Sequence, residues 1–120
     1  LVFGGGSHGM MGAAADGAIE EKGYVLGVIP KFFLEAGSEI SCDNCTEYIY
    51  TDTMRERKRE LEENSNAFIV TPGGIGTLAE FVSAVEEYRA SGGNKRIILF
   101  NYDGYYDGFI KWMKDNIETR

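Results

Sequence analysis

Cysteine, histidine and proline are scarce in this chain: two, one and two among 120 residues. Two cysteines cannot make a disulfide scaffold. Cys42 and Cys45, in "SCDNCTE", with His8 as the only histidine, lack the second ligand pair that a structural zinc usually needs. A redox dithiol would open a helix after a strand, whereas this pair lies in a polar stretch, so no metal or redox role is expected. Long apolar runs are also missing. The longest, such as "RIILF" and "AFIV", fall far short of the roughly 20 residues of a membrane span. The chain opens "LVFGGG" with no basic leader or small-residue cleavage site, which makes the cytoplasm the expected compartment. Basic residues are outnumbered 12 to 19, for a net charge of −7, which argues against nucleic acid as a partner. A small anion remains admissible, because local backbone dipoles can outweigh overall charge.

Glycine is plentiful, with 16 residues concentrated where the hydrophobic period changes. "LVF" (1–3) reads as the end of a strand, and 9–22 as a helix stopped by Gly23. "YVLGVIP" (24–30) reads as a buried strand, 31–46 as a long irregular loop, and "EYIYT" (47–51) as a short strand. A charged helix over 53–65 follows, with Met54 and Leu61 facing inward. Strand 67–71, helix 77–91, strand 95–101 and helix 106–118 complete the chain. Continuous apolar strands separated by helices predict an α/β fold, a doubly wound parallel sheet with helices on both faces. The chain is read as a single domain over 1–120. Because it starts in mid-strand, a preceding β-α unit is expected to be missing.

Two glycine loops follow strands and precede helices. The first, "GGGSHGMMG", contains Gly4-x-Gly6-x-x-Gly9, but the next strand ends "GVIP" without the carboxylate that a dinucleotide site places there. No Gly-Lys-Ser/Thr follows either run, so a P-loop is excluded. Tight turning and close helix packing are one account of the first loop, and nucleotide phosphate or sugar binding, without a dinucleotide, is the favoured one. The second, "TPGGIGTLAE", puts Gly73, Gly74 and Gly76 ahead of Thr77 as the expected N-cap, leaving amide N–H groups at the positive end of a helix. Such an end holds phosphate without a lysine. Glu80 completes Thr-x-x-Glu, and on spacing alone the capping box is its better account. Arg57, one turn from Met54 in "MRERK", cannot be told by pattern from its solvated neighbours Arg55, Lys58 and Arg59. "NYDGYYDG" is expected to make a strand-to-helix turn with Tyr105 and Tyr106 packed on the sheet.

In this order, "GGGSHGMMG", "GVIP", "MRERK", "AFIVTPGGIGTLAE" and "NYDGYYDG" resemble the Lonely Guy (LOG) family, from Leu1 to the end of the chain. The resemblance implies a Rossmann-like nucleotide-binding domain that hydrolyses the N-glycosidic bond of adenine or cytokinin nucleoside 5′-monophosphates. It implies no metal or organic cofactor, and a homodimer. The older "possible lysine decarboxylase" label has no chemical support in these residues, since no Schiff-base lysine stands in a recognisable pyridoxal site. Carried over residue by residue, the catalytic pair falls on Arg57 and Glu80. Substrate binding falls on Lys58, on Gly73, Gly74, Gly76 and Thr77, on Gly5 and Gly6 of the first loop, and on Glu39, whose surroundings match the family poorly. The resemblance reverses the spacing argument, making Glu80 catalytic first and a cap second. A non-catalytic nucleotide or molybdenum-cofactor carrier is the alternative, and retention of both Arg57 and Glu80 favours the enzyme.

Overall fold

The computed structural model describes residues 1–35 and 43–117. They fall into two compact units, Leu1–Asn66 and Ala67–Arg120. In the first, strands β1 (Val2–Phe3), β2 (Leu26–Pro30) and β3 (Glu47–Thr51) alternate with helices α1 (Gly9–Glu20), α2 (Lys31–Glu35) and α3 (Met54–Glu63). The strands pair in parallel in the order β1-β2-β3, with Leu26 opposite both Val2 and Glu47. Every residue of the central strand β2 is buried, as a parallel strand covered on both faces requires. Phe3, Ala15 and Val25 form the core here, with Ala18, Ile19 and Cys45 packed against it.

Two local expectations change. The stretch after Pro30 begins not as loop but as the short helix α2. Helix α1 does end beside Gly23, but the residue that turns left-handed is Lys22, at φ 59°. The Gly23 N–H donates to Ala18 O at 2.8 Å and the Lys22 N–H to Ile19 O at 2.9 Å. This is the paired Schellman closure, with lysine where glycine is usual.

The second unit is a β-α-β element. Strands β4 (Ala67–Val70) and β5 (Arg96–Leu99) are parallel, joined through α4 (Ile75–Ala90), and α5 (Asp107–Asn116) follows. Val70, Ala84 and Tyr106 are buried, and Phe81 of α4 meets Phe109 of α5 edge to face at 5.7 Å. Ile69 and Ile98, opposite each other in the register, are 68% and 52% exposed. Within this unit only one face of the strands is covered. The α/β class and parallel pairing expected from the pattern are found in both units. No helix among the described residues is long and apolar enough to cross a membrane.

Candidate functional site

Arg57 is the one charged side chain buried among the described residues, at 7% exposure. Its Nε donates to Val28 O at 3.2 Å and its Nη2 to Gly4 O at 2.7 Å. Its guanidinium carbon stands 5.6 Å from the ring centroid of Phe33 on α2, within cation–π range. The side chain of α3 therefore reaches across β2 to the carboxyl end of β1, where parallel α/β sheets place ligands. A Cβ on Gly4 would lie 2.0 Å from Nη2, so the glycine is required by the arginine's approach. Gly5 is buried with φ +82°, and a Cβ there would lie 2.4 Å from Ile29 Cγ1. Gly9, third in the expected spacing, has open space around it. The close helix approach falls instead on Gly12, where a Cβ would lie 2.3 Å from Ser7 O.

Met54, expected to face inward, is 39% exposed. The inward stripe of α3 passes through Arg57 itself, three residues after Met54 and four before the half-buried Leu61. A stripe spaced i, i+3, i+7 was the signal available in the sequence. Phe33, Val28 and Gly4 as its partners were not legible. Lys58 is half-buried on the same helix, and Gly6 follows the Gly4 contact in the first loop. Glu39 and Cys42 lie outside the described residues. His8 stands at the N-cap of α1 and makes no side-chain cap bond.

In the second unit the expected cap is displaced. Helix α4 starts at Ile75 with Gly74 as N-cap, and its first backbone bond runs from Leu78 N to Gly74 O at 3.1 Å. Thr77 is thus inside the first turn rather than before it. A Thr77–Glu80 capping box is ruled out, because a capping threonine must precede the helix it caps. The same four-residue pattern does cap α3. Thr53 Oγ1 accepts from Glu56 N at 3.1 Å, while Glu56 Oε2 accepts from Asp52 N at 2.9 Å. Thr53→Ala should cost about 1 kcal/mol in chemical unfolding; no measurable loss would show the cap to be idle.

Without the cap role, Glu80 is a half-buried carboxylate in the second turn of α4. It shares a face with Thr77 three residues earlier. Helical side chains lean toward the amino end, so its position directs it toward the glycine loop. A Cβ on Gly73 would lie 2.2 Å from Thr77 Oγ1, whereas at Gly74 or Gly76 it would meet nothing within 4 Å. The loop is tight on the threonine side and open on the other. The backbone N–H groups of a helix start, with the dipole behind them, suit an anion.

The loop is held from its own unit by the "NYDGYYDG" turn. Tyr105 Oη donates to Gly73 O at 2.6 Å, and Tyr106 Oη to Thr71 O at 2.5 Å. Only Tyr106 is buried; Tyr105 is 55% exposed. The expectation that both pack on the sheet therefore holds for one, and both hydroxyls grip the loop instead. Burial, with the neighbouring Tyr105 second, raises the Tyr106 phenol above its ordinary value, keeping it a donor. Among the described residues no three His, Cys, Asp or Glu side chains gather as metal ligands would.

A sequence model of the family described as "possible lysine decarboxylase" matches residues 11–120. Among individual relatives, a Mycobacterium tuberculosis protein named cytokinin riboside 5′-monophosphate phosphoribohydrolase is 40% identical over 119 residues, which cover 99% of this chain and 63% of that protein. A Mycobacterium marinum protein of the same name is 36% identical over the same shares. The Arabidopsis thaliana cytokinin riboside 5′-monophosphate phosphoribohydrolase LOG5 is 38% identical, with 92% of this chain and 53% of that protein covered. The chain thus spans about half to three-fifths of the length of these relatives.

Proposed function

The chain belongs to the family described as possible lysine decarboxylase, and we propose that it hydrolyses the N-glycosidic bond of a purine nucleoside 5′-monophosphate. The products are the free base and ribose 5-phosphate. The observation that carries the reading is Glu80, a half-buried carboxylate that closes no capping box, one turn below a glycine loop whose Gly73, Gly74 and Gly76 are exposed. The names of the relatives above support the same reaction, and the family's own label describes a different one.

Water adds to the anomeric carbon as the bond to the ring nitrogen breaks. The base leaves with the bonding electrons and takes up a proton. Positive charge builds on the sugar in the transition state, as in glycoside hydrolysis. Glu80 stabilises that charge and accepts the proton of the water. The amides of Gly74, Ile75 and Gly76, with Thr77, hold the phosphate. Arg57 completes the catalytic pair that the family resemblance implies. Its geometry adds that two of its five N–H donors are committed to Gly4 and Val28, so part of its work is to hold the Gly4–Gly6 loop. Lys58, Gly5 and Gly6 belong with it as substrate contacts, in a cytoplasmic homodimer.

The test is incubation with AMP and with an isopentenyl-modified adenosine monophosphate, reading free base and ribose 5-phosphate by chromatography, alongside light scattering. Release of both products by a dimer is expected. A protein that turns over no member of a nucleoside monophosphate panel would sink the proposal. Tight binding without turnover would favour a carrier.

A further inference from the structure

The peptide between Gly73 and Gly74 joins two residues that tolerate almost any backbone conformation, at the point where the proposed phosphate loop becomes helix. Nothing in those two residues themselves prevents the plane from turning over, which would point the Gly74 N–H the wrong way. We infer that Tyr105 is the positioning residue for this peptide: its hydroxyl holds the Gly73 carbonyl and so aims the Gly74 N–H at the bound phosphate. The inference rests on the reading of this loop as the phosphate site.

The described peptides are all trans, and in a trans peptide the carbonyl and the following N–H point in opposite directions. With Gly73 O accepting from Tyr105 Oη at 2.6 Å, the Gly74 N–H faces away from Tyr105. The residue holding the plane is itself held. Tyr105 N donates to Tyr102 O at 3.0 Å, and its ring stands edge-on to Tyr106, 4.9 Å between centroids and 87° between planes. The turn beneath is locked in its own right. Asn101 Oδ1 accepts from Tyr106 N, and Asn101 Nδ2 donates to Asp107 Oδ1, both at 2.7 Å. Asp103 and Gly104 take left-handed φ of 51° and 73° to close it.

Tyr106 supplies an internal control. Its hydroxyl also holds a loop carbonyl, that of Thr71, at 2.5 Å. The next residue is Pro72, so that peptide has no N–H to aim. Two adjacent tyrosines thus make the same kind of bond with different consequences. One orients a donor toward the ligand, and the other satisfies a carbonyl next to a buried ring.

The experiment compares Tyr105→Phe and Tyr106→Phe in the full chain, reading KM and kcat for AMP, inhibition by ribose 5-phosphate, and Tm. Tyr105→Phe should raise KM and the ribose 5-phosphate inhibition constant together, by roughly 5–10-fold. Its kcat should stay within about twofold and its Tm should not move, because the ring is half-exposed and keeps its packing. Tyr106→Phe should lower Tm and raise KM less than Tyr105→Phe does. An unchanged KM in Tyr105→Phe overturns the inference, as does a rise in KM without the matching loss of ribose 5-phosphate affinity, or a fall in Tm of the same size as in Tyr106→Phe. A wild-type protein that neither hydrolyses nucleotide nor binds ribose 5-phosphate overturns the phosphate-site reading and this inference with it. If it binds ribose 5-phosphate without hydrolysis, the hydrolase reading alone fails, and calorimetric titration of the same variants decides the role of Tyr105.

Discussion

Glu80→Gln is expected to cut release of the free base by about 100-fold or more, with Tm unchanged. The substitution keeps size and shape and removes the negative charge, so it separates chemistry from packing. A carboxylate facing a sugar that gains positive charge is worth more in the transition state than in the ground state, and that difference is what sets the rate. A 100-fold loss corresponds to ~2.7 kcal/mol of barrier. The fold should change little, because glutamine keeps the shape and hydrogen-bonding reach of the side chain and α4 takes its N-cap from Gly74 rather than from a Glu80 capping box. Turnover of AMP and a thermal melt, run on the same preparation, decide the matter. Activity within about twofold of wild type would remove Glu80 from the mechanism. A large fall in Tm would assign it to structure.

Arg57→Ala should behave differently, losing turnover and stability together. Arg57 is 7% exposed, and its removal strips the donors from Gly4 O and Val28 O. A buried acceptor left without its donor costs roughly 1–3 kcal/mol, so the buried Val28 O and the part-buried Gly4 O, with the lost guanidinium contact to the Phe33 ring, should lower unfolding free energy by about 3 kcal/mol or more. Arg57→Lys should recover only part of this, because one ammonium cannot reproduce a forked donor set. Gly4→Ala, which puts a methyl 2.0 Å from Nη2, should displace the guanidinium and resemble Arg57→Ala in turnover. Urea unfolding with m-value control is the measurement. An Arg57→Ala protein as stable as wild type would show that the two carbonyl bonds are incidental. The pair of results is diagnostic: Glu80 moves the rate alone, Arg57 moves both.

How far the sequence could carry these arguments varies with the element. The strands at 26–30, 47–51 and 67–70 announced themselves as short apolar runs between glycine-rich turns and helices, and their parallel pairing followed from the crossovers. Helix α3 was legible from its charge and from the Thr53 start. Its buried residue was misread: Met54 was expected to face inward, whereas Arg57, on the same stripe between Met54 and Leu61, is the one that is buried. The short helix α2, which supplies Phe33 to Arg57, fell in what reads as irregular loop. A five-residue helix has too few turns to show a period.

The two Thr-x-x-Glu stretches make the division plain. Residue order alone settled that this chain alternates strands and helices, that its strands run parallel, and that glycines stand where two of those strands give way to helices. All of that depends on periodicity and local backbone freedom, which are properties of neighbouring residues. Which arginine is buried and which tyrosine holds the Gly73 carbonyl were settled by contacts between residues 29 to 53 positions apart. No local pattern encodes such partners, because a hydrogen bond is chosen by whichever acceptor the folded backbone brings within about 3 Å.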